Sequence, residues 1–435
     1  MQQTSRLTAY ELRRLERNIP LFYAFRFLRE AQIWIPVWIV FLLIERGFSL
    51  TQVGIAEAVF LLSLTVLEVP TGAVADRFGR SISLAAGATI LVVAIVVFAL
   101  TTSYAVLLTS FLIWAVADTL MSGADLALVY DSLKALGRED DYEKHAGRGE
   151  AFLWAGATLG VLIGAPIAGA VSIQFTIFVG AVTTAFGIIV ALGMAEPPRL
   201  ESGTQASYLD GAREAVRLVR RLPAVRTIIV YSAVLIAGLG ATDYLIQPFL
   251  LDKGQEVGFT FSLLQVPGLL AGVVGALVAF RLIRRLGTVR VLVAVPVLGL
   301  GAVAGLSLID ELGAVSFLVF ALLLRSTLGP ITTGYLNRRI PSDQRATVLS
   351  FQNLVLGLVM APFSVGIGVI FDELGLLWAF RIPGIALAVL ALLSGALWLR
   401  AHRREGVHPQ DATDAGPPAH SVVAPVLPPH PGDPL

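Results

Sequence analysis

Charged residues interrupt several of the long apolar stretches of this chain. The first stretch contains Arg26, Arg29 and Glu30, which share one helical face because they are three and four residues apart. The other candidates lie in later stretches and are Glu68, Asp118, Asp125, Asp243 and Arg325. A charge at the centre of a bilayer costs roughly 2.5–3.5 kcal/mol, so each side chain needs a partner or a water-filled cavity. We therefore expect these residues to bind a polar ligand, to carry protons or to pair with one another.

The carboxylates in these stretches outnumber the arginines, and this excess favours proton exchange. Neighbouring carboxylates in a low dielectric cannot all stay ionised, so at least one is expected to bind a proton near neutral pH. Asp118 and Glu30 are the predicted proton carriers. The predicted charge partners or anion contacts are Arg26, Arg29 and Arg325. The uncharged candidates for hydrogen bonds to a ligand are Gln265, Gln352 and Asn353.

An internal set of ion pairs that fixes helix packing is the alternative interpretation. Asp118 and Arg325 lie near the middle of their stretches, which favours a cavity. Glu68 and Asp125 lie nearer the inner half of the membrane. There we expect helix packing or gating equally with ligand binding. Glu57 is close to the outer end of its stretch, where an interfacial position is expected.

The elements that carry these residues are predicted to be membrane-spanning helices. The chain is 56% hydrophobic and 14% charged, whereas soluble domains carry about 25% charged residues. Each apolar block is long enough to cross about 30 Å of hydrocarbon as a helix. Twelve spans are predicted, at 19–44, 52–75, 82–101, 104–130, 151–171, 174–194, 225–251, 259–281, 289–309, 314–336, 346–371 and 376–400. The fold class is therefore an all-α membrane protein with two pseudo-symmetric six-helix bundles.

The basic residues predict the orientation of these spans. The loops on one side of the membrane hold two of the 32 lysines and arginines, Arg46 and Lys253. Because cytoplasmic loops carry the excess of basic residues, both termini are predicted to be cytoplasmic. We expect a multi-pass protein of the cell inner (plasma) membrane.

The polar segments divide the chain into five parts. A cytoplasmic segment, 1–18, precedes an N-terminal bundle at 19–194, and a C-terminal bundle follows at 225–400. The linker between them, 195–224, has the spacing of an amphipathic helix lying on the inner leaflet or joining the bundles in solvent. The proline-rich segment 401–435 is predicted to be a disordered cytoplasmic tail.

A motif follows the second span. Residues 72–80 read GAVADRFGR, which resembles the loop signature G-x-x-x-D-R-x-G-R of the major facilitator superfamily, in its expected place. The resemblance covers residues 19–400 and implies two bundles that rock about a central cavity. A partial copy after the eighth span, Arg284-Arg285-Leu286-Gly287, has an arginine in place of the aspartate.

The resemblance implies that the first copy of the motif closes the cytoplasmic side. Its predicted gate residues are Gly72, Asp76, Arg77, Gly79 and Arg80. Asp76 is expected at a tight turn, with its carboxylate against the start of the eleventh span. Gly72 and Gly79 are expected to permit close approach and a tight turn. The alternative is a basic loop that only sets orientation.

The fifth span resembles the G-x-x-x-G-P-x-x-G-G pattern of proton antiporters in that superfamily. It contains Gly156, Gly160 and Gly164 before Pro166, although the same spacing also permits tight helix packing. The arginine of the exporters' fourth span is missing near Thr119, so a proton relay of their kind is not expected.

We expect a secondary active transporter that exports a small amphipathic or drug-like molecule in exchange for protons. Proton-coupled uptake of an organic anion is the alternative, and a non-transporting sensor or scaffold is an alternative of another class. The chain has no cysteine and no nucleophile–base set, so neither an enzyme, a metal site nor a cofactor is predicted. The expected partners are the substrate, protons and lipid, without nucleic acid, and the chain is expected to be a monomer.

Overall fold

Over the residues that it describes, a computed structural model of the chain has twelve long apolar helices. The structure describes residues 8–198, 216–309, 311–341 and 344–405, apart from the side chains of Val69, Ala73, Asp76, Ala241, Thr242 and Ala346. The helices are α1 (Ala9–Glu45), α2 (Leu50–Phe78), α3 (Arg80–Ala99), α4 (Tyr104–Ala135), α5 (Tyr142–Ala170), α6 (Ile173–Gly193), α7 (Pro223–Asp252), α8 (Phe259–Leu286), α9 (Thr288–Leu308), α10 (Val315–Asn337), α11 (Arg345–Leu374) and α12 (Leu376–Glu405).

The predicted all-α, twelve-helix membrane fold is confirmed, although several helices are longer than predicted. Helix α1 begins at Ala9, where Thr8 forms a capping box with Glu11, and not at 19. Helix α5 begins at Tyr142 instead of 151, because polar residues extend a helix beyond the apolar block that marks its span. Residues 216–221 of the predicted linker are helical, and residues 401–405, predicted to belong to the disordered tail, instead continue α12. The rest of both predictions falls on 199–215 and 406–435, which are outside the described residues.

Contacts between the two sets of six helices concentrate at one end of the bundle. We call the end that carries Ala9 and Glu405 the terminal end, and the opposite end the distal end. Helix α2 packs against α11, and α5 packs against α8. If the second six helices repeat the first six, as in transporters built from repeats, α8 corresponds to α2 and α11 corresponds to α5. The two pairs are then equivalent.

One hydrophobic core joins the two sets of helices, and two smaller cores do not. The second set contributes to the shared core through distal residues, including Leu245, Phe249, Phe261, Leu318 and Phe380. A separate core near the terminal end contains residues of the second set alone, such as Tyr335 and Trp398. Another contains residues of the first set alone, such as Phe22 and Leu133. The two halves are thus packed together distally and have separate cores at the terminal end.

Helix α1 is interrupted near the middle of its apolar span. Its regular α-helical part ends at Glu30, and a 3-10 turn at Ile35–Val37 follows. Two glutamines of the second half, Gln247 and Gln265, form hydrogen bonds with the backbone at this break. Gln247 donates to Ile35 O at 2.9 Å and accepts from the N–H of Ile39 at 3.0 Å. Because lipid offers no hydrogen bonds, an irregular backbone at this depth needs such partners.

Candidate functional site

A cavity of about 650 Å³ lies between the two halves, bounded by α1, α2, α5, α7, α8, α10 and α11. Its charged lining residues are Glu57, Asp243 and Arg325, and the aromatic ones include Trp38, Trp154 and Tyr244. The remaining lining residues are mostly apolar side chains and glycines. A volume of this size is suited to a drug-sized molecule. We call this space the larger cavity.

Two of the predicted site residues form an ion pair in the larger cavity. Asp243 of α7 binds Arg325 of α10 through its carboxylate, a pairing that was not predicted from the sequence. Both side chains remain accessible from the cavity, with 40% and 29% of the side chain exposed. Each charge of this pair is therefore neutralised by the other.

A second cavity, of about 310 Å³, is lined by α1, α2, α4 and α11. We call it the smaller cavity, and it adjoins the larger one because Leu61 and Met360 line both. Its ionisable lining residues are Arg29, Glu68 and Asp118. Asn353, an uncharged candidate, lies here as well.

Arg29 joins two carboxylates at the edge of the smaller cavity. A nitrogen of its guanidinium lies 3.4 Å from Asp118 and another lies 3.8 Å from Glu30. The structure therefore brings together three of the predicted site residues, with one positive and two negative side chains.

Two other predicted residues form a buried ion-pair cluster. Arg26 contacts Asp125 of α4 at 3.0 Å and also binds Glu150 of α5. Arg26 and Asp125 are both less than a tenth exposed, and neither lines the larger or the smaller cavity. Their arrangement fits helix packing, because three helices meet at this cluster. Glu150 was not among the candidates, since it precedes the predicted start of its span.

The gate motif spans the end of α2 and the start of α3. The tight turn lies at Gly79, whose φ of 106° favours glycine, and Asp76 lies within the last turns of α2 and not at the turn. The Asp76 side chain is outside the described residues. A methyl group at Gly72 would meet no neighbour within 4 Å, so the predicted close approach at Gly72 does not occur in this conformation.

Arg80 and the backbone at the start of α3 bind within the first half of the chain. The Arg80 guanidinium binds Asp131 of α4 and the carbonyl of Ala127. The Glu196 carboxylate accepts from the backbone N–H groups of Arg80 and Ser81 at 2.8 and 3.0 Å, which caps α3. The described contacts of Arg80 therefore tie α3 to α4 and to the segment after α6.

A carboxylate closes the distal end of the bundle. Asp372, at the end of α11, accepts from the N–H groups of Leu50 and Thr51 in the first turn of α2. One turn deeper, Ser364 donates to Gly54 O at 3.1 Å. Sequence reasoning assigned Asp372 no gating role, because nothing in the chain marks it as a partner of α2.

The glycines of α5 pack against the break in α1. A methyl group at Gly164 would collide with Ile33 O, and one at Gly156 would collide with Phe27 O. The antiporter-like spacing thus lets two helices approach closely, as small residues do in membranes.

The structure differs from the sequence prediction at Glu57. Glu57 lines the larger cavity and is not confined to the membrane interface. Gln265 also lines the larger cavity, and both Gln265 and Gln352 have hydrogen-bond partners within the protein. Gln265 donates to Pro36 O at 3.1 Å, so it supports the break in α1. Gln352 is buried and donates to Thr332 at 3.4 Å. The alignment of Glu57 with Glu68, eleven residues apart on α2, was the signal that both face the interior.

Comparison with known proteins places this arrangement in a family. A family model of the Major Facilitator Superfamily matches residues 22–364. YxaM of Bacillus subtilis (strain 168), an uncharacterized MFS-type transporter, is 34% identical over 106 residues, 24% of this chain and 26% of that protein. The match spans about a quarter of that relative.

Two solved structures share the fold at low sequence identity. The nucleoside transporter NupG has a TM-score of 0.73 and 14% identity, over 88% of this chain and 99% of its own. A bacterial homologue of the human lysosomal transporter Spinster, inward-facing and unoccupied, has a TM-score of 0.67 and 17% identity, over 95% and 100% of the two chains. Since the family match covers most of the sequence and the fold agrees, the chain is a multi-pass membrane protein that belongs to the Major Facilitator Superfamily.

Proposed function

We propose that this chain is a secondary active transporter that exports a small amphipathic molecule in exchange for protons. The cavities lie on the terminal side of the contacts between Asp372 and α2. Opening these distal contacts while the terminal ends approach would expose the same cavities to the other side, which is alternating access.

The cluster of Arg29, Asp118 and Glu30 is the observation that carries proton coupling. One guanidinium balances one carboxylate, so the second carboxylate carries an uncompensated charge in a partly desolvated position. Binding a proton removes that charge. We therefore assign Asp118 and Glu30 as proton carriers and Arg29 as their partner.

The lining of the larger cavity supports an amphipathic cargo. Most of the lining is apolar or aromatic, and its charged groups converge from α2, α7 and α10. Uptake of an organic anion fits less well, because Arg325 and Arg29 already have carboxylate partners. A scaffold without transport would have no need of charges around an internal cavity, since each one costs free energy in the membrane.

The proposed transporter lies in the plasma membrane with its terminal end in the cytoplasm. The positive-inside rule supports this orientation, since Arg46 and Lys253 are the basic residues of the predicted outer loops. Both cavities are enclosed by one chain, which is compatible with function as a monomer. Reporter fusions after residue 210 and in the tail test the orientation, which is wrong if either reporter lies outside the cell.

Reconstitution of the full chain into liposomes tests the proposed activity. An imposed pH gradient is expected to drive accumulation of at least one compound from a panel of fluorescent amphipathic molecules. A protonophore is expected to abolish the accumulation. Transport that is unaffected by the protonophore would contradict proton coupling, and gradient-driven movement in the same direction as protons would contradict exchange.

A further inference from the structure

The carboxylate of Glu57 projects into the larger cavity without a partner. Among the residues that the structure describes, none donates a hydrogen bond to it or forms an ion pair with it. Glu57 lies seven residues into α2, about 10 Å from the start of the helix along its axis. A carboxylate at this depth is unfavourable unless something compensates its charge.

The other charges in the larger cavity do not compensate Glu57. Within the described part of the chain, Arg325 is the one basic side chain that lines this cavity, and Arg325 already binds Asp243. The cavity therefore has a net negative charge when these three groups are ionised. Glu68, on the same face of α2, extends this acidic surface into the smaller cavity, and its carboxylate has no partner among the described residues either.

The walls around this charge are suited to an organic cation. Trp38, Trp154 and Tyr244 line the same space, and the faces of such rings attract ammonium and other organic cations. A small metal ion would instead need several oxygen ligands around it. The large volume and apolar lining favour a bulky, weakly hydrated cation.

We infer that the larger cavity binds a lipophilic organic cation, with Glu57 as its counter-charge and the aromatic residues as its walls. This inference deepens the proposed function by naming the class of substrate, and it rests on that function for its physiological meaning. Glu57 is thereby a substrate-binding residue. Of the proposed proton carriers, Asp118 lines the neighbouring cavity and Glu30 lies beside it, next to Arg29.

Two probes of the same shape and opposite charge test the inference on the intact chain. Tetraphenylphosphonium is a cation and tetraphenylborate is its near-isosteric anion. Each is titrated alone against the purified protein in detergent, because the two precipitate together. Quenching of tryptophan fluorescence reports binding, with empty micelles and free tryptophan as blanks. We expect the cation to bind at least tenfold more tightly than the anion.

Variants then test whether Glu57 is the residue that binds the phosphonium cation. Glu57→Gln is expected to weaken phosphonium binding at least tenfold, and Glu57→Asp, which keeps the charge, to stay within about fivefold of the original. Glu143→Gln, an exposed carboxylate in the first turn of α5, is the matched control and is expected to change nothing. Elution volume and Tm verify that each variant is folded.

Several results would overturn the inference. These are no binding of the phosphonium at millimolar concentration, equal binding of the two probes, and unchanged phosphonium binding by a folded Glu57→Gln variant. If Glu57→Gln does not fold, the comparison of the two probes on the unaltered chain still decides whether the cavity prefers a cation or an anion. Binding is measured without a gradient, so a chain that binds the cation without proton-driven transport contradicts the proposed function alone. A chain that exports neutral molecules and ignores the cation contradicts this inference alone.

Discussion

The carboxylate of Asp372 accepts a hydrogen bond of 2.8 Å from the backbone N–H of Thr51. It also accepts from the N–H of Leu50 at 3.0 Å. These groups are free donors at the start of α2, where the helix dipole also favours a negative charge. The second half of the chain thus caps a helix of the first half, and the proposed opening of the distal end would break this cap.

Removing this cap is expected to favour the distally open state. Asp372→Ala removes charge-assisted hydrogen bonds that each contribute about 1.5–3 kcal/mol, less here because the site is exposed. We expect a shift of about 1–2 kcal/mol, a factor of roughly 5–30 in the ratio of the two states. Because the chain has no cysteine, spin labels at Ile55→Cys and Val369→Cys report the distance between α2 and α11. Glu373→Gln is the control, and an unchanged distance distribution in Asp372→Ala would exclude a gating role.

Gln247→Leu is expected to destabilise the break in α1. The variant keeps the approximate volume of the side chain but leaves Ile35 O and the N–H of Ile39 without their partner. A buried unsatisfied backbone group costs about 1–3 kcal/mol. We expect a Tm lower by several degrees in detergent. Gln352→Leu, whose side chain makes a longer bond of 3.4 Å within the second half, is the comparison. An equal decrease in Tm for the two variants would show that Gln247 does not specifically stabilise the break in α1.

Asp118→Asn is expected to abolish proton-driven transport and to spare downhill exchange of substrate. The amide retains the shape of the side chain and a hydrogen-bond acceptor, but it cannot bind and release a proton. Arg29 keeps Glu30 as a partner at 3.8 Å, so the variant is expected to fold. Transport in vesicles is measured with and without a gradient, alongside the Tm. Asp125→Asn is the comparison variant. It removes the buried ion pair with Arg26, so its main expected effect is a lower Tm and not a specific loss of proton-driven transport. A folded Asp118→Asn variant that still concentrates substrate would exclude Asp118 as the proton carrier.

Arg80 and Asp131 are expected to act on stability as one unit. Either Arg80→Met or Asp131→Asn breaks the ion pair between α3 and α4 and is expected to lower the Tm by about 2–5 °C. The double variant is expected to be no less stable than the worse single variant. Additive losses in the double variant would mean that each residue stabilises the protein through other contacts.

Gly164→Ala is expected to destabilise the protein, and Gly72→Ala is not. A methyl group at Gly164 would collide with the backbone carbonyl of Ile33, and overpacking of this kind costs about 1–3 kcal/mol. At Gly72 the space is open in this conformation, so Gly72→Ala is expected to retain the Tm. Comparable yield and Tm for the two variants would mean that α5 can move away from α1.

The sequence by itself determined the number of helices, their division into six and six, and the family. These features depend on the length of each apolar block against the thickness of the bilayer and on a local motif, so they need no knowledge of neighbouring helices. The prediction that ionisable residues such as Asp118 and Arg325 line a cavity also followed from the cost of an unpartnered charge in lipid.

Only the tertiary structure decided which of these charges are paired. Asp125 and Glu57 are both acidic residues in membrane helices, yet one is buried against Arg26 and the other faces the larger cavity. The difference depends on the rotation of each helix and on its neighbours across the bundle. The same holds for Gln247, whose partners are the carbonyl of Ile35 and the N–H of Ile39. Those backbone groups need a partner only because α1 is interrupted there, and a side chain from the other half of the chain supplies it.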